Sequence, residues 1–340
     1  MLRSFPMPLL CLLLGCSPEP GDGARETISL EGKAMGTTWE VTFRELPENA
    51  SQETLRGEIE ATLERIESLA SHWRTDTPVS QFNQTLDTQP FPVPSDLLAI
   101  LKTAERIHHK TEGAFDVTVA PLVNLWGFGP IEETRGKIPT NEEIENALSS
   151  MGQDKLELLP QNTIRKTRAD LQLDLSALAK GYAIDQVAAL LDELGALHYL
   201  IELGGELRAK GNGSKGQGWQ VGLEHPEADA NATKNHRVIT LTKGAVATSG
   251  NYRLTFTDQD TGQAYSHLID PRTGRPVNHD LLAVSVLAPT AMEADAWATA
   301  LLVLGSEKGM QLADKENLAA LFVERGPSGI QVLTTANFPR

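Results

Sequence analysis

The residues with the clearest chemical potential fall in four short stretches. In Ala291-Met292-Glu293-Ala294-Asp295-Ala296-Trp297-Ala298-Thr299, Asp295 and Thr299 stand four apart, which places them on one face of a helix. A carboxylate and a hydroxyl so placed suit a hard cation such as Mg²⁺, which takes few protein ligands and retains waters or phosphates. The same spacing also fits a plain helix-surface pair. In Leu173-Asp174-Leu175-Ser176-Ala177-Leu178-Ala179-Lys180-Gly181-Tyr182, Asp174 and Ser176 mark the start of a helix. The free N–H groups of such a start can receive a phosphate. Lys180, about one and a half turns in, can reach one as a point charge. A simple cap and a solvated lysine are the plainer readings of these residues. His267, with Asp270 just before the turn-forming Pro271-Arg272-Thr273-Gly274, fits a general base near neutral pH or a structural role. Ile201-Glu202-Leu203-Gly204-Gly205-Glu206 carries a glycine pair after a strand, suited to a turn, a bulge or close approach of a ligand. It is not a GxGxxG fingerprint and no helix follows, which excludes a Rossmann site. No zinc-spaced Cys/His cluster, G-x-S-x-G elbow or P-loop occurs in the chain.

These stretches must be held by elements that the hydrophobic periodicity outlines. Trp39, Val41 and Phe43 alternate with polar residues as in a half-buried strand. Ser51 is placed to cap a helix whose Leu55, Ile59, Leu63, Ile66 and Leu69 share a face, and Ser95 to open a second carrying Leu97, Leu101 and Ile107. Thr140 and Glu143 form a capping-box pattern. A helix is expected from about Ala177 to Leu194, stopping at Gly195. Strands are expected at Tyr199–Leu203, Trp219–Leu223, Val238–Leu241, Arg253–Thr257 and Ala283–Leu287. A final helix pair, about Ala291–Leu304 and Glu307–Asp314, precedes two last strands. Without regular βαβ alternation the class is α+β.

The 340 residues suffice for a large core, and 40% hydrophobic with 22% charged residues is ordinary globular composition. A formal net charge of −15 argues against a general nucleic-acid binder, which needs a basic face. Residues 1–15 read as a signal peptide: Arg3 supplies a basic start, and the apolar run Met7–Leu14 is too short to span a bilayer. Leu13-Leu14-Gly15-Cys16 looks like a bacterial lipobox, which makes Cys16 the lipidated first residue of the mature chain. The two cysteines are Cys11 and Cys16, so the mature chain has no internal disulfide. Residues 16–26 then form a polar, turn-prone tether and 27–338 the functional domain.

In order along the chain, several stretches resemble the FAD:protein FMN transferase (ApbE) family. They are Gly32–Thr37, Gly113–Thr118, Asp174–Gly181, Glu202–Gly205, Gly244–Gly250, His267–Gly274 and Glu293–Thr299. The resemblance implies an α+β, T-fold-like architecture with FAD in a cleft between two parts of the chain. It implies FAD contacts at Met35, Ala114, Phe115, Asp116, Asp174, Lys180 and Ile269 (or its neighbour Leu268). It also implies a Mg²⁺ site made by the backbone oxygen of Ala177 with Asp295 and Thr299. Trp73 aligns with a family aromatic, usually tyrosine, that stacks on the ligand. A small polar residue there is associated with FAD hydrolysis, so tryptophan leans toward transfer.

The implied reaction is Mg²⁺-dependent transfer of FMN from FAD to a threonine or serine hydroxyl of an exported or membrane redox protein. AMP is released, and His267 is the candidate base. The alternatives are a Mg²⁺-dependent FAD pyrophosphatase and a non-catalytic FAD-binding lipoprotein. The expected location is lipid-anchored to a bacterial membrane, facing the periplasm.

Overall fold

A computed structural model describes residues 26–48, 50–223, 237–251, 255–258, 261–327 and 329–339. The signal peptide, Cys16, nearly all of the tether and part of the expected strand Arg253–Thr257 lie outside these residues. Eight strands form one sheet, in the spatial order Ile28–Ala34, Thr37–Phe43, Tyr199–Leu203, Glu206–Lys210, Lys243–Gly250, Leu281–Ala288, Ala319–Gly326 and Gly329–Thr334. Every neighbouring pair in it is antiparallel. The α+β expectation agrees with this architecture.

Strand alternation gives the large sheet a core on each face. Tyr199, Ile201, Leu203, Ala245, Ala247, Val284 and Phe322 belong to the core shared with Gln52–Ala70, Ser95–Lys110, Ser176–Glu193 and Ala291–Lys315, the helical layer. Leu200, Leu207, Val246, Ala283 and Leu321 belong to the other core, under a two-stranded ribbon of Trp219–Leu223 and Arg237–Leu241. Ala245 and Ala247 on the central strand Lys243–Gly250 let the helix Ala291–Lys315 lie close to the sheet.

Local signals mostly act as their chemistry predicts. The Ser51 side chain accepts from Thr54 N at 3.1 Å, and Thr140 and Glu143 form a reciprocal capping box. Ser95 opens its helix as the first helical residue, preceded by Pro94 without a side-chain cap. The expected final helix pair is present as one run, Ala291–Lys315, in which two helices meet at a kink at Gly305, whose φ of 79° is non-helical.

Three sheet strands are not among those the periodicity outlines. Ile28–Ala34 lies at the sheet edge with Leu30 as its one buried residue. Lys243–Gly250 presents small residues to both cores. Glu206–Lys210 places charged residues against the helix Ser176–Glu193, where each meets a partner. Glu206 pairs with Lys180, Arg208 with Asp185, and Lys210 with Asp192 at 2.7 Å. The short helices Pro78–Gln84 and Ala120–Leu125 also fall below the length at which periodicity shows.

Candidate active-site cleft

Two hairpin tips form one wall of a cleft. Met35 and Gly36, both at positive φ, join Ile28–Ala34 to Thr37–Phe43, and Gly204 and Gly205 join Tyr199–Leu203 to Glu206–Lys210 in the same way. The glycine pair singled out in the sequence is therefore a two-residue hairpin turn. A Cβ on Gly204 would come within 2.9 Å of Thr37 Cγ2, so glycine lets the two tips touch. Met35 N donates to Glu67 Oε2 at 2.8 Å, which anchors the first tip to the helix Gln52–Ala70.

Loops supply further walls. After the helix Ser95–Lys110 the chain turns through Glu112 and Gly113, both at positive φ, and presents Ala114, Phe115 and Asp116. His108 Nδ1 lies 2.9 Å from the Phe115 carbonyl, and Asp116 Oδ1 accepts from Thr118 N and Oγ1 at 2.7 and 2.6 Å. The segment leading to Asp174 is clamped in place: Asn83 exchanges two hydrogen bonds with the Leu173 backbone, and Asp174 N donates to Val117 O at 2.8 Å. His267 and Ile269 come from the segment before the Pro271–Gly274 turn, which is tied down by Trp126 Nε1 donating to Gly274 O at 2.8 Å.

The floor is made where two helices begin. Ser176–Glu193 brings Ala177 and Lys180, and Ala291–Lys315 brings Asp295 and Thr299. Asp174 is not the cap residue of the first helix, a position taken by Leu175, but its Oδ1 accepts from Ser176 N and Oγ at 2.8 and 2.6 Å. Thr299 Oγ1 lies 3.0 Å from Ser249 Oγ on the central strand. Lys180 donates to Glu206, whose second carboxylate oxygen is buried without a hydrogen-bond partner.

Met35, Trp73, Ala114, Phe115, Asp116, Asp174, Ala177, Lys180, His267, Ile269, Asp295 and Thr299 all line this one cleft, whose volume is about 510 Å³. Sequence reasoning did not single out His72, Glu206 or Ser249, which line it too. His72 Nδ1 is 3.5 Å from Asp174 Oδ1, and its ring lies 5.6 Å from that of Trp73, which is 54% exposed. The signal for Glu206 was available as an acidic residue directly after a glycine turn, but its partner Lys180 is distant in sequence.

Electrostatics concentrate on the floor. Asp295 is 4% exposed, and burial pushes its carboxyl up to about 7, with Lys180 opposing the shift and Glu206 adding to it. Among the described residues no three His, Cys, Asp or Glu side chains converge as a metal site. The donors at hand are of another kind: a carboxylate, a hydroxyl and a helix-start carbonyl, all hard oxygens. The buried Asp295 carboxylate, which accepts a long 3.4 Å bond from Gly181 N, and an orphaned oxygen on Glu206 give this floor the oxygen-rich character that a Mg²⁺ ion fits.

The antiparallel sheet, the paired helices and the cleft at their starts define a protein of the flavin-transferase fold. The structure aligns with the flavin transferase ApbE of Vibrio cholerae at a TM-score of 0.84 and 38% identity, covering 92% of this chain and 98% of that one. It aligns with the apo flavinyl transferase ApbE of Pseudomonas stutzeri at 0.83 and 35%, covering 92% and 95%. The chain belongs to the ApbE family, whose model matches residues 35–322. Relatives named FAD:protein FMN transferase include one from Vibrio cholerae, 39% identical over 97% of this chain and 95% of its own length. Another, from Escherichia coli, is 38% identical over 92% and 89%.

Proposed function

We propose that this chain is a Mg²⁺-dependent FAD:protein FMN transferase that moves FMN from FAD to a threonine or serine hydroxyl of an exported protein and releases AMP. As a member of a family whose relatives carry that name over nearly their full length, the chain is a transferase with FAD as its substrate. The observation that most supports the finer reading is the convergence of a cation-type donor set, a lysine, a histidine and an aromatic rim in one cleft.

The residues divide the work by their chemistry. Met35, Phe115 and Trp73 offer apolar and aromatic surface to the flavin or adenine rings. Lys180, held by Glu206, offers positive charge to the pyrophosphate. Ala177, Asp295 and Thr299 are the residues that would hold Mg²⁺. When bound, the cation supplies neutralisation of the pyrophosphate and of the charge growing on the departing phosphate. The acceptor hydroxyl attacks the phosphorus on the FMN side. Its proton passes to His267, a P–O bond forms, and the bond to the bridging oxygen breaks, so that AMP leaves with that oxygen. The half-exposed Trp73 at the rim keeps the aromatic face that leans this cleft toward transfer to a protein hydroxyl rather than to water. Covalent flavin fluorescence on an acceptor domain after denaturation tests the transfer, and its absence with FAD and Mg²⁺ present would refute it.

We further infer that the chain is exported and anchored through Cys16 to a bacterial membrane on the periplasmic side. The support for this anchor is the lipobox Leu13-Leu14-Gly15-Cys16. Cells given a palmitate analogue should label the parent chain and not Cys16→Ser; equal labelling of both would exclude this anchor.

A further inference from the structure

The two helices that carry the cleft floor are locked together by a residue outside the cleft. Asp185 lies on Ser176–Glu193, and its Oδ1 and Oδ2 accept from Ala291 N and Met292 N at 2.8 and 3.0 Å. Those are the first two N–H groups of Ala291–Lys315, and Thr290 Oγ1 accepts from the third, on Glu293, at 3.3 Å. The start of one helix is therefore capped by a carboxylate that belongs to another. Arg208, on the adjoining strand Glu206–Lys210, pairs with the same carboxylate and ties the crossing to the sheet.

Gly181 makes the crossing close. A Cβ there would collide with the Ala291 carbonyl and stand 2.6 Å from Met292 Cα. Gly181 and Asp185 are one turn apart, so the first residues of Ala291–Lys315 rest on the glycine and hang from the carboxylate. The spacing on either side is regular. Ala177 lies one turn before Gly181, while Asp295 and Thr299 lie one and two turns after Ala291. A slip of one residue at the crossing would move these groups by about 1.5 Å along the axis and turn them by about 100°. Mg²⁺ demands near-ideal octahedral geometry at about 2.0–2.1 Å, so such a slip would dismantle the donor set.

We propose that Asp185 is a positioning residue that sets the register of the two helices and thereby the divalent-cation affinity of the cleft. This rests on the Mg²⁺ reading of the floor given above. Asp185 touches neither the cation nor FAD in this role. It acts through the backbone of Ala291 and Met292, and Arg208 holds it in place.

Mn²⁺, titrated into the full chain and followed by electron paramagnetic resonance, is the direct probe. Asp185→Asn keeps one acceptor oxygen but loses the charge and places an amide against an N–H. It should weaken Mn²⁺ binding by about 10-fold or more, as loss of a residue that orients ligands does. FAD binding without metal, read from flavin fluorescence, should stay within about twofold, because the change acts on the cation donors and not on the ring contacts. Should Asp185→Asn fail to fold, Arg208→Gln leaves the carboxylate in place, loosens its hold, and should weaken Mn²⁺ binding in the same direction by a smaller factor. A folded variant that binds Mn²⁺ as tightly as the parent, whatever its Tm, would show at most a structural cap and overturn the proposal. A parent chain that binds no Mn²⁺ would overturn the cation reading as well, which separates the two failures.

Discussion

The main-chain N–H of Gly181 lies 3.4 Å from Asp295 Oδ2, across the crossing of two helices. That is long for an N–H···O bond, and it goes to a carboxylate that is almost fully buried. The protein therefore keeps an acidic group in a place where its charge is poorly compensated. A bound cation would account for its retention.

Replacing Asp295 should separate function from stability. Asp295→Asn preserves shape but removes the charge, and it should cut Mg²⁺-dependent AMP release by roughly 10²-fold or more, as removal of a charge-stabilising group does. In the absence of metal the same variant should melt at or above the temperature of the parent, because a poorly compensated buried charge has been removed. Calorimetry without Mg²⁺ and an AMP assay with it check both halves. A metal-free variant that melts well below the parent would show that the carboxylate is a structural support.

Cation binding should depend on pH in a direction fixed by the same residue. Burial raises the Asp295 carboxyl to about 7 in the absence of metal, so its proton competes with the cation below that pH. Apparent Mg²⁺ affinity should rise by up to about tenfold per pH unit toward pH 7 and flatten above it. Titrations of the cation at several pH values between roughly 5.5 and 8.5 would show this, and a pH-independent affinity would contradict it.

Glu202 offers a test that does not involve the reaction. Its carboxyl is pushed up to about 7, chiefly by burial, with Gly205 N opposing and with Glu206 and Glu40 adding to the shift. A raised carboxyl favours the protonated folded state. Its contribution is full below the unfolded value of 4.5 and is lost as pH rises through about 7. The total is on the order of 3 kcal/mol. Glu202→Gln, which can still accept from Gly205 N, should therefore lose less thermal stability between about pH 5 and pH 8 than the parent. Equal losses would show that Glu202 is ionised throughout.

Much of this was legible in the sequence for physical reasons that also explain what was not. Asp295 and Thr299, or Asp174 and Lys180, are separated by less than two helical turns, so local periodicity places them together. The hydroxyl partner of Thr299 is Ser249, and the charge partner of Lys180 is Glu206. Those contacts cross from helix to sheet and have no local signature. The strand Glu206–Lys210 escapes a reading in which charge means solvent, since its charged residues face Lys180, Asp185 and Asp192 on a helix. The crossing at Gly181 and Asp185 depends on a helix more than a hundred residues later, beyond any spacing rule. Resemblance bridged some of these distances, because the matching stretches occur in order along the chain.

The proposed transfer requires that a protein hydroxyl, and not water, takes the FMN-side phosphate. It is tested most directly by the rate of AMP release from FAD and Mg²⁺ with and without a threonine-containing acceptor domain. AMP should appear in step with covalent flavin on the acceptor and nearly stop without it. Equal rates in both cases, with no flavin retained on the acceptor, would contradict transfer and show a pyrophosphatase.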